Sequence, residues 1–168
     1  MSFREVDIKS LKLNPFVMLD DEWGLLTAGN EETYNTMTIA WGSMGIMWRK
    51  PTFTVVVRPQ RYTYEFIEKY NTFTVSFYPE SCRSALNLLG KKSGRDGDKI
   101  AESGLTPFFT DDTVAFEEAH TIFICRKLYG GHQYESAKFV DKELDREIYP
   151  TKDHHYVYTG EIEKVLQK

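Results

Sequence analysis

Apolar and polar positions alternate along residues 35–42. Met37, Ile39 and Trp41 fall on one side, and Thr36, Thr38, Ala40 and Gly42 on the other. A period of two is the mark of a strand, whose successive side chains point to opposite faces. Runs rich in β-branched and aromatic residues at 25–29, 52–58, 73–78, 121–129 and 156–165 predict further strands. Pro59 and Pro79 close two of them, since proline has no amide to give a ladder. Helical signals are fewer. Thr63 reads as an N-cap for residues 64–70, and Ser81 as a cap for 82–89 with a stop at Gly90; residues 98–103 read as one or two turns ending at Gly104. Short helices among many strands predict a mainly β protein, a β-barrel with a few short helices, not a doubly wound sheet.

Composition narrows the picture. A chain of 168 residues without repeats, low-complexity tracts or a linker reads as a single domain, 1–168, large enough to build a core without metal or disulfide staples. Ten tyrosines and eleven phenylalanines fit a β-rich interior. A formal charge of −4 argues against broad nucleic-acid or anionic-membrane binding. The charged amino-terminal stretch lacks a signal peptide's apolar segment, and no run is long enough to span a bilayer. Cys82 and Cys125 stand far apart in no CxxC spacing, so both are expected as free thiols in a cytoplasmic protein.

The candidate chemistry lies between residues 35 and 63. The small, hydroxylated face of Thr36, Thr38, Ala40 and Gly42 can either be solvated or lie against a flat ligand. Gly42 and Gly45 favour the latter by letting the backbone bend and come close, with Trp41 and Trp48 bracketing the bend. The second strand ends in Arg58, Pro59, Gln60, Arg61, Tyr62 and Thr63 at a helix start, where guanidinium forks, a hydroxyl and free amides suit a phosphate. The competing reading pairs the two arginines with carboxylates such as Glu65. Together the two segments offer the chemistry of a flavin mononucleotide site.

Residues 90–99 are glycine-rich and basic at Lys91, Lys92 and Arg95, but they match neither a P-loop nor an EF-hand. They read as a solvated loop, or as a cover over the cofactor or an entry path for an anionic nicotinamide donor. No metal site is expected, since His154 and His155 are adjacent on a strand and face opposite ways. Nothing local marks either thiol as activated.

Taken together, residues 35–42, Lys50–Pro51, 57–63, 93–99 and 155–162 resemble the flavin reductase-like, FMN-binding split-barrel family, most of all its flavoredoxin-type branch. The resemblance implies a Greek-key split β-barrel working as a homodimer, with noncovalent FMN near the subunit interface. It places Asn35, Thr36, Met37, Thr38, Ile39, Ala40 and Trp41 against the ring and ribityl chain. Arg58, Gln60, Arg61, Tyr62 and Thr63 fall against the phosphate, and Lys92, Ser93 and Lys99 near the cofactor. It further implies an NAD(P)H-linked oxidoreductase passing electrons through FMN to an acceptor. Such chemistry belongs to the cofactor, so no catalytic side chain is assigned. Two other readings stand beside it: an electron-transfer carrier reduced by a protein partner, and a pyridoxamine-phosphate oxidase-like enzyme.

Overall fold

The computed structural model describes residues 2–110 and 113–168. Near the amino terminus are β1 (Arg4–Glu5) and a wide helical turn at Val17–Glu22. Two hairpins follow, β2 (Gly24–Gly29) with β3 (Tyr34–Ile39), and β4 (Gly42–Met47) with β5 (Lys50–Val57). The chain continues through α1 (Thr63–Lys69), β6 (Thr72–Phe77), α2 (Arg83–Lys91) and α3 (Lys99–Ser103). A separate ribbon of β7 (Pro107–Thr110) and β8 (Thr113–Phe116) precedes the long β9 (Thr121–Gln133), then α4 (Lys142–Ile148) and β10 (Tyr156–Gln167).

The main sheet runs β3-β2-β6-β9-β10-β5-β4 with antiparallel pairing, and β1 adds to β10. It curls because one face carries Leu26, Met37, Phe53, Phe73, Phe123 and Tyr158 into a single core. Burying each such side chain contributes about 1.5–3 kcal/mol, which outweighs the cost of bending the sheet. The opposite face of β2, β6 and β9 is covered as well: Leu25, Ile122 and Ile124 pack on Leu86 and Leu89 of α2 and Phe116 of β8. Strands buried on both faces lose simple alternation, and their hydroxyls must then pair. Thr27 and Thr36 share a 2.8 Å hydrogen bond, and Thr74 donates to the Val114 carbonyl at 2.6 Å. The order begins at β3 and ends at β4, two edges that do not pair with each other, so the wall is split there.

The mainly β reading and its six predicted strands hold, with shifted ends. Several local expectations do not. Residues 42–45 do not bend towards a ligand; they open β4, an edge strand joined to β5 by Trp48 and Arg49. Both turn residues have left-handed φ, 51° and 62°, the backbone that a two-residue hairpin demands. Thr63 is not a cap but the first residue of α1; its buried hydroxyl accepts from Asn35 Nδ2 at 2.7 Å. Ser81 lies in the single turn Glu80–Cys82, and α2 runs through Gly90 to Lys91. The third helix forms as expected, with the Asp98 carboxylate accepting from the Ala101 amide and Gly104 left-handed at its end. Among the described residues, no helix is long and apolar enough to cross a membrane.

Candidate functional site

Two recesses open along the split, both bordered by Met37. The first, about 150 Å³, is lined by Met37, Gln60, Arg61, Tyr62, Thr63, Lys91, Lys92, Ser93 and Lys99. It is built where the β5–α1 connection meets the carboxyl end of α2 and the start of α3. Lys99 is 3% exposed, and its ammonium donates to the Leu89 carbonyl at 3.1 Å. The Arg61 guanidinium donates to the Gly90 carbonyl at 2.8 Å. Those carbonyls end α2, where cations are favoured. One bond each leaves most of the donors of a guanidinium and an ammonium unused. Among the described residues, no carboxylate pairs with either cation. Burial, and then Arg61, pushes Lys99 down to about 8. Arg61 is also lowered, by burial and then by Arg58. Two half-desolvated cations with unused donors form a seat for an anion.

The loop between α2 and α3 is strapped over this seat. Arg95 lies over the Tyr62 ring at 4.7 Å, donates to the Gln60 carbonyl at 3.1 Å and pairs with Glu65. Lys92 pairs with Glu102 at 2.6 Å. Gly94 allows the close approach: a Cβ there would stand 2.4 Å from Asn35 Oδ1 and 2.9 Å from the Tyr62 ring. Asn35 is itself held by Thr63, so it has little room to yield.

The second recess, about 270 Å³, is lined by Met37, Thr38, Ile39, Ala40, Trp41, Val56, Arg58 and His155. It combines the open end of β3, the end of β5 and the residue just before β10. Trp41 is 48% exposed, with its ring 5.2 Å from that of His155. Burial and Arg58 push His155 down to about 4, so the imidazole is neutral at pH 7. Its Nδ1 is 2.8 Å from the Tyr149 hydroxyl. Arg58 is engaged already, donating to Asp153 Oδ2 at 2.5 Å and to the Ile148 carbonyl at 3.0 Å. That bond, with others from Gln60 and Thr151, holds Asp153 far below the usual carboxylate range.

The predicted residues are therefore divided by the fold. Met37, Thr38, Ile39, Ala40, Trp41 and Arg58 border the wider recess; Gln60, Arg61, Tyr62, Thr63, Lys92, Ser93 and Lys99 border the cationic one. Asn35 and Thr36 line neither. The Thr36 hydroxyl turns under α2 to Thr27 and the Leu26 carbonyl, and Thr38 donates to the Leu86 carbonyl at 2.5 Å. Of the hydroxylated face expected against a flat ligand, the Thr36 hydroxyl is used within the sheet and the Thr38 hydroxyl on α2, while Thr38 and Ala40 still border the recess together with Met37 and Ile39 of the opposite side. Arg58 does not join Arg61 in the cationic recess; Asp153, far along the chain, claims it. Nor does Glu65 take Arg61, because Arg95 takes Glu65. The amides of Tyr64 and Glu65 are consumed by the carbonyls of Arg61 and Tyr62, and α1 is seven residues long, so attraction for an anion rests on the side chains. Sequence reasoning weighed His155 as a metal ligand and as part of the closing stretch that carries the resemblance, but did not name it among the site residues. The useful signal was its place immediately before a strand whose neighbour carries Arg58.

The chain is thus an antiparallel split barrel with a cationic recess and, beside it, a wider recess bordered by Trp41. The model of the flavin reductase-like domain matches residues 22–166, and the chain belongs to that family. Its fold is the FMN-binding split barrel, like that of the FMN-binding domain of a flavin reductases-like enzyme from Shewanella baltica. That structure is 16% identical with a TM-score of 0.71, the match covering 99% of this chain and 77% of that one. Flavoredoxin from Methanosarcina acetivorans is 21% identical with a TM-score of 0.68, over 88% of this chain and 68% of that one. In sequence the chain is similar to the high molecular weight rubredoxin of Moorella thermoacetica, 36% identical over 44% of this chain; the match spans 40% of that protein.

Proposed function

We propose that this chain binds FMN noncovalently and acts as an oxidoreductase, taking electrons from NAD(P)H and passing them through the flavin to an acceptor. The observation that carries the reading is the pair formed by half-buried Arg61 and buried Lys99, cations without a carboxylate partner among the described residues, in a recess that shares Met37 with a wider, ring-sized one of mixed apolar and polar lining. FMN presents the matching pair of features, a phosphate and a flat tricycle. When bound, the flavin supplies the redox chemistry. The chain's own part is to seat the phosphate on Arg61 and Lys99 and to hold the ring beside Met37, Ile39 and Trp41. The neutral His155 offers a polar contact that does not change charge near pH 7.

Family membership supports FMN as the ligand. The nicotinamide donor is tested by stopped-flow bleaching of the FMN-loaded protein under anaerobic conditions. Rapid reduction by NADH or NADPH is expected. Failure of both, with reduction by a protein partner, would support the carrier reading. The likeness to a flavoredoxin and to a rubredoxin-containing relative favours that as the second reading.

We also propose a homodimer. β4 is an edge strand exposing Ile46 and Met47, with Trp41 just before it and the exposed Trp48 in the turn after it. An apolar unpaired edge left in water invites strand pairing with other chains. A second copy laid on β4 would cover it. Sedimentation of wild type and of Ile46→Lys tests this: a dimer that the substitution dissociates is expected, and a wild-type monomer would refute it.

A further inference from the structure

Beside the ring-sized recess lies a larger cleft, about 700 Å³, that FMN does not account for. Its walls include Trp41, Tyr134, Phe139, Leu144, Ile148 and Tyr149. Trp41 borders both spaces, and Tyr149 of the cleft meets His155 of the recess through the 2.8 Å contact. The two are therefore adjacent, with Trp41 common to both walls. We propose that this cleft seats the flavin's second substrate and selects an uncharged aromatic molecule, a quinone being the simplest class; the redox role rests on the FMN reading above.

Three observations carry the assignment. The lining is aromatic, with Phe139 set edge-on against Tyr134 at 6.3 Å and Tyr149 at 5.9 Å, an arrangement that presents flat surfaces and ring edges to a flat guest. Its charges are already committed. Lys138 pairs with Glu135 at 2.5 Å, and the Asp141 carboxylate accepts the Glu143 and Leu144 amides at the start of α4. Among the described residues, no free cation lines the cleft to take a phosphate or carboxylate, in contrast to the recess of Arg61 and Lys99. Finally, the outer wall is pinned. Buried Asp145 of α4 lies 2.6 Å from His154 Nε2 and accepts from Lys152 at 3.1 Å and from Ser136, while Arg58 holds the Ile148 carbonyl. A cleft with a fixed wall is preformed for its ligand. A quinone seated there takes two electrons and one proton as a hydride from reduced flavin and a second proton from solvent. It leaves as the hydroquinone, and the flavin returns to its oxidised form.

The test uses duroquinone, a neutral tetramethylated ring that does not alkylate thiols, and lawsone, an anionic hydroxynaphthoquinone. Calorimetric titration of the flavin-free protein is expected to show duroquinone binding at least about tenfold tighter than lawsone. Leu144→Trp, which fills the cleft, and Leu144→Glu, which charges it, are each expected to weaken duroquinone by about tenfold or more. Leu144 is 46% exposed, so the melting temperature and FMN uptake should stay put. With reduced, FMN-loaded protein, flavin reoxidation by duroquinone should slow in both variants. FMN uptake with no duroquinone binding, with equal affinity for lawsone, or with both variants indifferent would overturn the cleft assignment alone. So would Leu144 variants that alter only the oligomeric state, which would make a second copy the occupant. Absence of FMN uptake would overturn the proposed function and the redox role together.

Discussion

Replacing Arg61 by alanine and Lys99 by methionine separates a phosphate seat from a structural pair. Each side chain has one protein bond, to a carbonyl ending α2. Each would add at least one charge-assisted bond to a phosphate, worth about 1.5–3 kcal/mol. FMN affinity should therefore fall by roughly 10- to 150-fold in either variant. Riboflavin, which lacks the phosphate, should lose less than about threefold. Fluorescence-quenching titrations of both flavins provide the comparison. The pH dependence adds a second axis. Lys99 sits near 8 in the flavin-free fold against an ordinary 10.5. A bound phosphate favours the charged ammonium, and a phosphate monoester keeps its charge above about pH 7. FMN affinity is thus expected to fall above pH 8, by up to about tenfold per pH unit, while riboflavin affinity stays flat. Stability of the flavin-free protein should move the other way. Its folded Lys99 has the depressed pKa, so the unfolded chain holds more protons between about 8 and 10.5, and stability rises with pH through that window. Lys99→Met should remove both slopes and leave the flavin-free melting temperature unchanged or higher, since a desolvated charge has gone. Equal losses for FMN and riboflavin, or a flavin-free protein that unfolds, would refute the reasoning.

Other expectations follow from neighbouring residues. Thr38→Val removes the hydroxyl that holds α2 and should lower stability by about 1 kcal/mol in denaturant titrations, with FMN affinity within about threefold because that hydroxyl faces the helix. Gly94→Ala forces a Cβ into Asn35 and Tyr62 and should cost about 1–3 kcal/mol by the same assay, with weaker FMN binding as the loop lifts from the seat. His155 has a folded pKa near 4 against an ordinary 6.5, so the unfolded chain binds more protons between them and stability should climb from pH 4 to 6.5. His155→Gln should flatten that climb, as followed by melting temperature, and leave the acid loss below about pH 4 to which the depressed Asp153 contributes.

Much of the barrel was legible in the sequence because its strands have the period and β-branched content that propensity rules detect. The edges escaped for a physical reason. β4 contains two glycines and is mostly exposed, so it looks like a bend until β5 is there to pair with it. α4 gains its place from the buried Asp145 cluster, whose members are scattered from Ser136 to His154, a contact that no local pattern encodes. The sequence pointed to the residues that border the two recesses, but not to their division between them. Arg58 and Arg61 stand three apart, and only the arrival of Asp153 draws one of them away. What β3 offers the recess also depended on a distant element, because α2 takes the Thr38 hydroxyl while Met37, Thr38, Ile39 and Ala40 all border the space.

A crystal structure of the chain grown with saturating FMN would locate the ligand. The phosphate is expected within hydrogen-bonding distance of both Arg61 and Lys99, with the ring against Met37, Ile39 and Trp41. FMN absent from the two recesses, or bound with its phosphate away from those two cations, would contradict the account.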